Sequence, residues 1–220
     1  MFGSKTHRAG NVTIIPNAID IDRFKFNMNL RQKTRKELGL EDKFIIGNVG
    51  RCVSQKNQSF LIDIFFEIQK TNKDCNLIII GDGPLTGILI DKVKKLKIEE
   101  KVIFAGVHKN IENFYNAMDY FVFPSLYEGL GMCLVEAQIS GLKCITSSNV
   151  PLEAKISNGV QFVSLKNNRK FWAKLINNDI GNKVDRSKIE FLDIEKYDIK
   201  IASTKIVDIY INIVNEEKKR

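Results

Sequence analysis

The sequence is short of the groups that most often carry catalysis on their own. It has two histidines, His7 and His108, in 220 residues. His7 lies in a start with little periodicity, and His108 reads as a surface residue after a loop. No Ser-His-Asp or Cys-His grouping can be argued from them. Four cysteines, Cys52, Cys75, Cys133 and Cys144, are scattered without zinc spacing. Most lie in or beside apolar runs, where a buried thiol is ordinary, and a reduced, cytoplasmic protein is expected. No apolar run approaches the ~20 residues of a membrane span, and the start has no signal-peptide core. There is no RNA-binding motif and no sustained interleaving of basic and aromatic residues, which excludes nucleic acid as the expected partner. Internal repeats and low-complexity tracts are absent too.

What remains is enough for one sizeable core, or one domain with a long tail helix: 44% of residues are hydrophobic and 27% charged. The formal charge is +8, from 34 basic and 26 acidic residues. A mild basic excess suits phosphorylated ligands or an anionic membrane surface and by itself selects neither.

Periodicity organises the chain. Short apolar runs at residues 12–15, 44–49, 77–80, 102–104, 120–123, 144–145 and 160–163 read as strands. Between them, residues 30–38, 54–70, 85–96, 111–117, 131–140 and 171–176 read as helices, the first and fifth stopped by Gly39 and Gly141. The alternation predicts an α/β fold, a doubly wound parallel sheet with helices on both faces. The expected division is a linker and first strand over 1–27, a Rossmann-like domain over 28–176, and a linking loop with a terminal amphipathic helix over 177–220. That last helix, residues 199–214, carries a stripe of Ala202, Ile206, Ile209 and Ile213. The outer face of 85–96 is basic, with Lys92, Lys94, Lys95 and nearby Lys97, and reads first as solvated surface and second as a peripheral membrane contact.

In such a sheet the loops at the carboxyl ends of strands make the site. Arg51 follows the first buried strand and Lys56 opens the next helix, a spacing that suits a diphosphate clamp, though each also fits solvated surface. Gly81 and Gly83 follow the second strand, where glycine lets backbone approach a ligand; Gly81-Asp82-Gly83 is not a complete G-x-G-x-x-G. Asp20 and Asp22 form a D-x-D in a turn, readable as a metal-diphosphate site or as backbone-bonding turn residues. The richest stretch is P-S-L-Y-E-G-L-G-M-C-L-V-E-A-Q-I-S-G, residues 124–141. Glu128 lies just before a helix and Glu136 more than a turn into it. One spacing fits two readings: an elongated ligand with phosphates at the helix start, or an N-terminal charge and a solvated helix residue.

The pair Glu128 and Glu136, as E-x7-E, resembles the donor-binding motif of the retaining glycosyltransferases of family four. Other stretches agree in order: I-I-P-N-A-I-D-I-D-R-F at 14–24, G-N-V-G-R at 47–51, Lys56-Asn57, G-D-G-P at 81–84 and I-F-A-G at 103–106. The resemblance runs to about Trp172. It implies the donor half of a two-domain transferase that passes a hexosyl group from a nucleotide diphosphate sugar, UDP-sugar by default, during cell-surface polysaccharide or capsule assembly. Retention, independence of metal and the lack of any other cofactor are implied with it. Arg51 and Lys56 would stabilise charge on the leaving diphosphate and Glu128 would hold sugar hydroxyls. Glu136 would grip the ribose diol. Backbone at Gly50, Gly81, Gly83, Phe104, Gly106, Gly129, Leu130, Gly131 and Met132 would line the nucleotide and sugar.

Ala18 and Lys143 depart from the resembled pattern where Gly and Pro are usual. More consequential is the start, M-F-G, where relatives have their interdomain linker. The expectation is therefore a chain without the N-terminal acceptor domain, truncated or completed by another chain, and inactive alone. The terminal stripe would then pack partly on its own domain and partly in a homodimer or against a separate chain. A non-catalytic nucleotide-sugar-binding module and a protein-interaction domain are the alternatives.

Overall fold

The computed structural model describes residues 13–181 and 185–217. They divide into two compact units, one of residues 24–192 and one joining the described residues up to Arg23 to those from Asp193 onward.

The larger unit is built on six strands: β1 (Phe44–Val49), β2 (Cys75–Ile80), β3 (Val102–Gly106), β4 (Tyr120–Phe123), β5 (Lys143–Ser147) and β6 (Val160–Val163). Every neighbouring pair is parallel, in the order β3-β2-β1-β4-β5-β6. The helices are α1 (Met28–Leu38), α2 (Gln58–Gln69), α3 (Thr86–Lys95), α4 (Ile111–Ala117), α5 (Met132–Ile139) and α6 (Arg169–Asn177). Strands buried on both faces explain their near-continuous apolar sequences. Ile46, Leu77, Ile79, Tyr120, Val122 and Ile145 share one core with Leu61, Phe65, Val93, Trp172 and Ile176 of α2, α3 and α6. The alternate positions face the other way, where Phe121 meets Tyr115 of α4 at 5.8 Å between ring centroids. Gly47 also lies on that side: a Cβ there would sit 2.0 Å from Met118 Sδ.

The amino edge is pinned by charge. Arg31 and Arg35 of α1 both reach Asp119, the residue before β4, and both donate to carbonyls at the end of α4. Asp119 in turn accepts the Ile45 N–H at 2.7 Å. Arg186 joins them, donating to Tyr115 and Ser140 carbonyls. Burial, reinforced by Arg31, pulls the Arg186 pKa down to about 9. Asp119→Ala removes the carboxylate shared by two guanidiniums and the acceptor of a strand N–H; we expect a loss of about 2–3 kcal/mol in urea unfolding.

Two readings of the sequence need correction. Residues 13–15 form no strand, and Ile14 is exposed, while Val12 lies outside the described residues. The helix expected over 54–70 is broken. A 3-10 turn, Ser54–Lys56, ends at Asn57, whose φ of 53° interrupts the ladder before α2 begins at Gln58. The break turns Lys56 away from the helix and back over the rim of the sheet.

In the smaller unit, Ile19 exchanges backbone bonds with Tyr197 and Ile199. Asp22, in the short helical turn Ile21–Phe24, pairs with Lys200 at 2.7 Å, and Asp20 accepts the Arg23 N–H. The D-x-D is thus used in local bonding. Helix α7 (Ile199–Glu217) extends past the predicted span; Ala202 is buried, but Ile206 and Ile213 of its stripe are exposed. No helix among the described residues is long and apolar enough to cross a membrane.

Candidate functional site

Strand order reverses between β1 and β4, and an open parallel sheet leaves a crevice at its carboxyl edge there. Loops from both sides of that reversal are laced together. Gly50 N donates to Ile80 O at 2.9 Å, Cys52 N to Asp82 O at 3.0 Å, and Gly81 N to Gly106 O at 2.7 Å. Across the reversal, Leu126 N donates to Gln55 O at 2.8 Å and Asn57 Nδ2 to Pro124 O at 3.1 Å. Arg51, Gly81, Gly106 and Glu128 therefore fall on one rim, as the β-α alternation predicts. Glycine is required where the loops touch: Gly81 has φ 123°, and a Cβ on it would lie 2.2 Å from Gly50 O. A Cβ on Gly83 would lie 2.5 Å from Cys52 O.

The two clamp cations differ. Arg51 is exposed, and its side chain has no hydrogen-bond or ion-pair partner among the described residues. Lys56 is engaged. Its stem lies across Gly50, its ammonium sits 4.9 Å from the Phe123 ring centroid, and it pairs with Glu128 at 2.7 Å. Gln55 adds a bond to the same carboxylate at 3.3 Å. The Glu128 side chain is only 7% exposed, so this carboxylate is held by protein and not spread into solvent.

Helix α5 starts just beyond. Gly129 is exposed and Leu130 half-buried; Gly131 takes φ 88° as the helix cap, with Phe123 packed where a Cβ would stand. Among the described residues no side chain caps this end, and Met132 opens the helix. Glu136, one turn on, accepts the Tyr115 hydroxyl at 2.8 Å. Between the carboxylates, burial pushes the Cys133 thiol up to about 11, with Glu136 adding to the rise and Lys56 opposing it. It stays a thiol and offers no nucleophile.

Some anticipated residues contribute differently. The Phe104 side chain is partly buried and packs against the core, and the Gly106 carbonyl is already used by Gly81. His108 bonds Ala105 O and packs on Phe114 with the rings tilted at 54°, which fits a loop staple. The sequence reading missed Gln55 and Tyr115. Tyr115 had one signal: a tyrosine among inward-facing helix positions needs a partner for its hydroxyl. Among the described residues no three His, Cys, Asp or Glu side chains are placed to hold a metal.

The profile described as Glycosyl transferases group 1 matches residues 31–189, spanning this sheet and its rim. The chain belongs to the group 1 glycosyl transferases. EpsF of Bacillus subtilis, named as a glycosyltransferase, is 33% identical over 178 residues, covering 80% of this chain and 46% of that protein. An Escherichia coli protein named UDP-Gal:alpha-D-GlcNAc-diphosphoundecaprenol alpha-1,3-galactosyltransferase is 33% identical over 141 residues, covering 62% of this chain and 36% of that protein. In fold, the group 1 domain matches the crystal structure of Anabaena HepE in complex with UDP and glucose, with TM-score 0.78, 21% identity, and coverage of 92% of this chain and 57% of that one. The chain thus spans about half or less of the length of the curated relatives it matches.

Proposed function

We propose that this chain binds a nucleotide diphosphate sugar, UDP-sugar by preference, as the donor part of a hexosyltransferase for polysaccharide or glycolipid assembly. The observation that carries this is the row of charges along one rim at the strand reversal: free Arg51, the Lys56–Glu128 pair, an uncapped helix start and the Tyr115-held Glu136. It matches an elongated ligand with a vicinal diol at one end, a diphosphate in the middle and sugar hydroxyls at the other. The UDP named with HepE and the UDP-Gal in the Escherichia coli relative's name support that chemistry.

Each residue then has a task. Glu136 accepts two ribose hydroxyl hydrogens. Arg51, Lys56 and the α5 amide groups oppose the charge that grows on the diphosphate as the sugar bond breaks. This arrangement supplies that stabilisation from fixed cations without a metal, and it leaves the sugar configuration to be retained by the leaving phosphate's own face. Glu128 holds donor-sugar hydroxyls and does not act as nucleophile. The nucleotide-sugar contacts fall within residues 28–176. The rim is open, with Arg51 exposed, so excluding water and aligning an acceptor fall to a second surface, from further chain or another subunit.

The test is calorimetric titration with UDP, UDP-glucose and UDP-galactose, with and without magnesium, alongside a radiolabelled-sugar transfer assay. UDP should bind with a Kd of roughly micromolar to millimolar order, the usual range for substrate sites. Glu136→Ala should weaken UDP and UDP-sugars alike, by about tenfold or more. Unchanged UDP affinity in that variant would remove Glu136 from the site.

A further inference from the structure

The ladder between β1 and β4 ends early. Its last register pair is Gly47 with Phe121, and one residue further the Asn48 side chain, not a main-chain donor, reaches Val122 O at 2.8 Å. The Gly50–Arg51 peptide lies past that point. On its β2 side it is fixed: Gly50 N donates to Ile80 O, and the Gly50 carbonyl rests against Gly81, where a Cβ would stand 2.2 Å from the oxygen. A trans peptide is planar, with its N–H directed opposite to its carbonyl, and none of the described peptides is cis. The carbonyl faces β2, so the Arg51 N–H faces β4 and the strand reversal. Among the described residues that N–H has no acceptor.

Gln58, the first residue of α2, holds this peptide in place. It is 1% exposed, and its amide nitrogen donates to Arg51 O at 3.1 Å and to Gly50 O at 3.5 Å. Two carbonyls on one side fix which end of the amide faces them. The other end, Oε1, is buried without a partner among the described residues. A buried acceptor left unpaired costs stability, and an apolar side chain of similar length avoids that cost. What the amide contributes is its hold on the loop. We propose that Gln58 is a positioning residue of the phosphate clamp: by holding the Gly50 and Arg51 carbonyls it keeps the Arg51 main-chain N–H turned to the diphosphate as a further donor. This rests on the donor-site reading above and adds two groups to it, of which Gln58 meets no ligand atom itself. A main-chain donor suits the task, because it has no side-chain freedom to lose on binding and its bond to a phosphate oxygen is charge-assisted. Without Gln58, the peptide turns more easily about Gly50, which has no Cβ to restrict it.

The experiment compares UDP, inorganic pyrophosphate and uridine, which lacks the phosphates, on wild type, Gln58→Met, Arg51→Ala and Lys56→Ala. Gln58→Met keeps the length of the side chain and removes its donors. It should lower UDP and pyrophosphate affinity about 3- to 10-fold and leave uridine affinity and the urea midpoint at their wild-type values. A structural role for Gln58 would instead lower the urea midpoint and weaken uridine together with UDP, and that result would overturn the proposal. If Gln58→Met keeps wild-type pyrophosphate affinity while Arg51→Ala and Lys56→Ala lose it, Gln58 is not a positioning residue and the clamp stands. If those two variants keep it as well, the donor-site reading itself fails. A measurement on wild type covers the case of a Gln58→Met protein that does not fold. In 15N-labelled protein the Arg51 amide proton should move downfield on adding pyrophosphate and stay still on adding uridine. An Arg51 amide that ignores pyrophosphate, or that moves equally with uridine, would overturn the proposal.

Discussion

Lys56→Ala should weaken UDP binding about 10- to 100-fold, the cost of one charge-assisted hydrogen bond to a diphosphate. It should also lower the stability of the unliganded protein. Lys56 and Glu128 are 15% and 7% exposed, and their 2.7 Å contact is the main compensation for burying the Glu128 carboxylate. Removing one partner of such a pair leaves the other charge poorly solvated, at about 3 kcal/mol. Lys56→Met separates the two effects from loss of packing, since it keeps the stem across Gly50 and under Phe123. Both variants should lose nucleotide affinity, and Met should recover only the part of the stability that comes from the stem. Chemical denaturation, paired with UDP titration, reads both. Wild-type UDP affinity in Lys56→Ala would take Lys56 out of the phosphate clamp.

The fold was legible because its strands are short, apolar and separated by helical periods. A parallel sheet covered on both sides leaves that pattern in the sequence with little interference. The rim was legible for the same reason: once strands are parallel, residues directly after them share an edge. What the sequence hid was pairing between residues far apart in the chain. Nothing in the spacing of Lys56 and Glu128 says they touch, since the contact depends on Asn57 adopting φ 53° and breaking a helix that periodicity would have run straight through. Tyr115 and Glu136 likewise meet only because α4 and α5 lie against the same face of the sheet. The strand expected over 12–15 failed for the opposite reason. An apolar run alone does not specify a partner, and Ile14 ends exposed.

In the proposed donor site the Lys56–Glu128 pair would also bear on how donor is told from spent nucleotide. If Lys56 Nζ contacts a phosphate oxygen at about 2.8 Å while keeping its 2.7 Å bond to Glu128, the carboxylate and phosphate oxygens lie within roughly 5.5 Å of each other. At an effective dielectric of about 20 and the full 5.5 Å their repulsion is roughly 3 kcal/mol per charge pair, less where water screens it. A nucleotide diphosphate sugar has both phosphates esterified and carries one negative charge fewer than the free diphosphate. In the proposed donor site Glu128 would therefore penalise the product more than the donor, and at the same time would offer acceptors to sugar hydroxyls that only the donor has. Glu128→Gln keeps the shape and removes the charge. We expect it to tighten UDP by about tenfold, a fraction of that figure after solvent screening. The UDP-sugar should gain less, or lose affinity, because the amide returns one acceptor and one donor where the carboxylate had two acceptors. The preference for donor over product should then fall, and the UDP gain should shrink as salt is added. Titration of UDP and UDP-glucose into wild type and Glu128→Gln at two ionic strengths measures this directly. Equal changes for both ligands would mean that Glu128 reports only on the state of Lys56 and has no part in distinguishing the two.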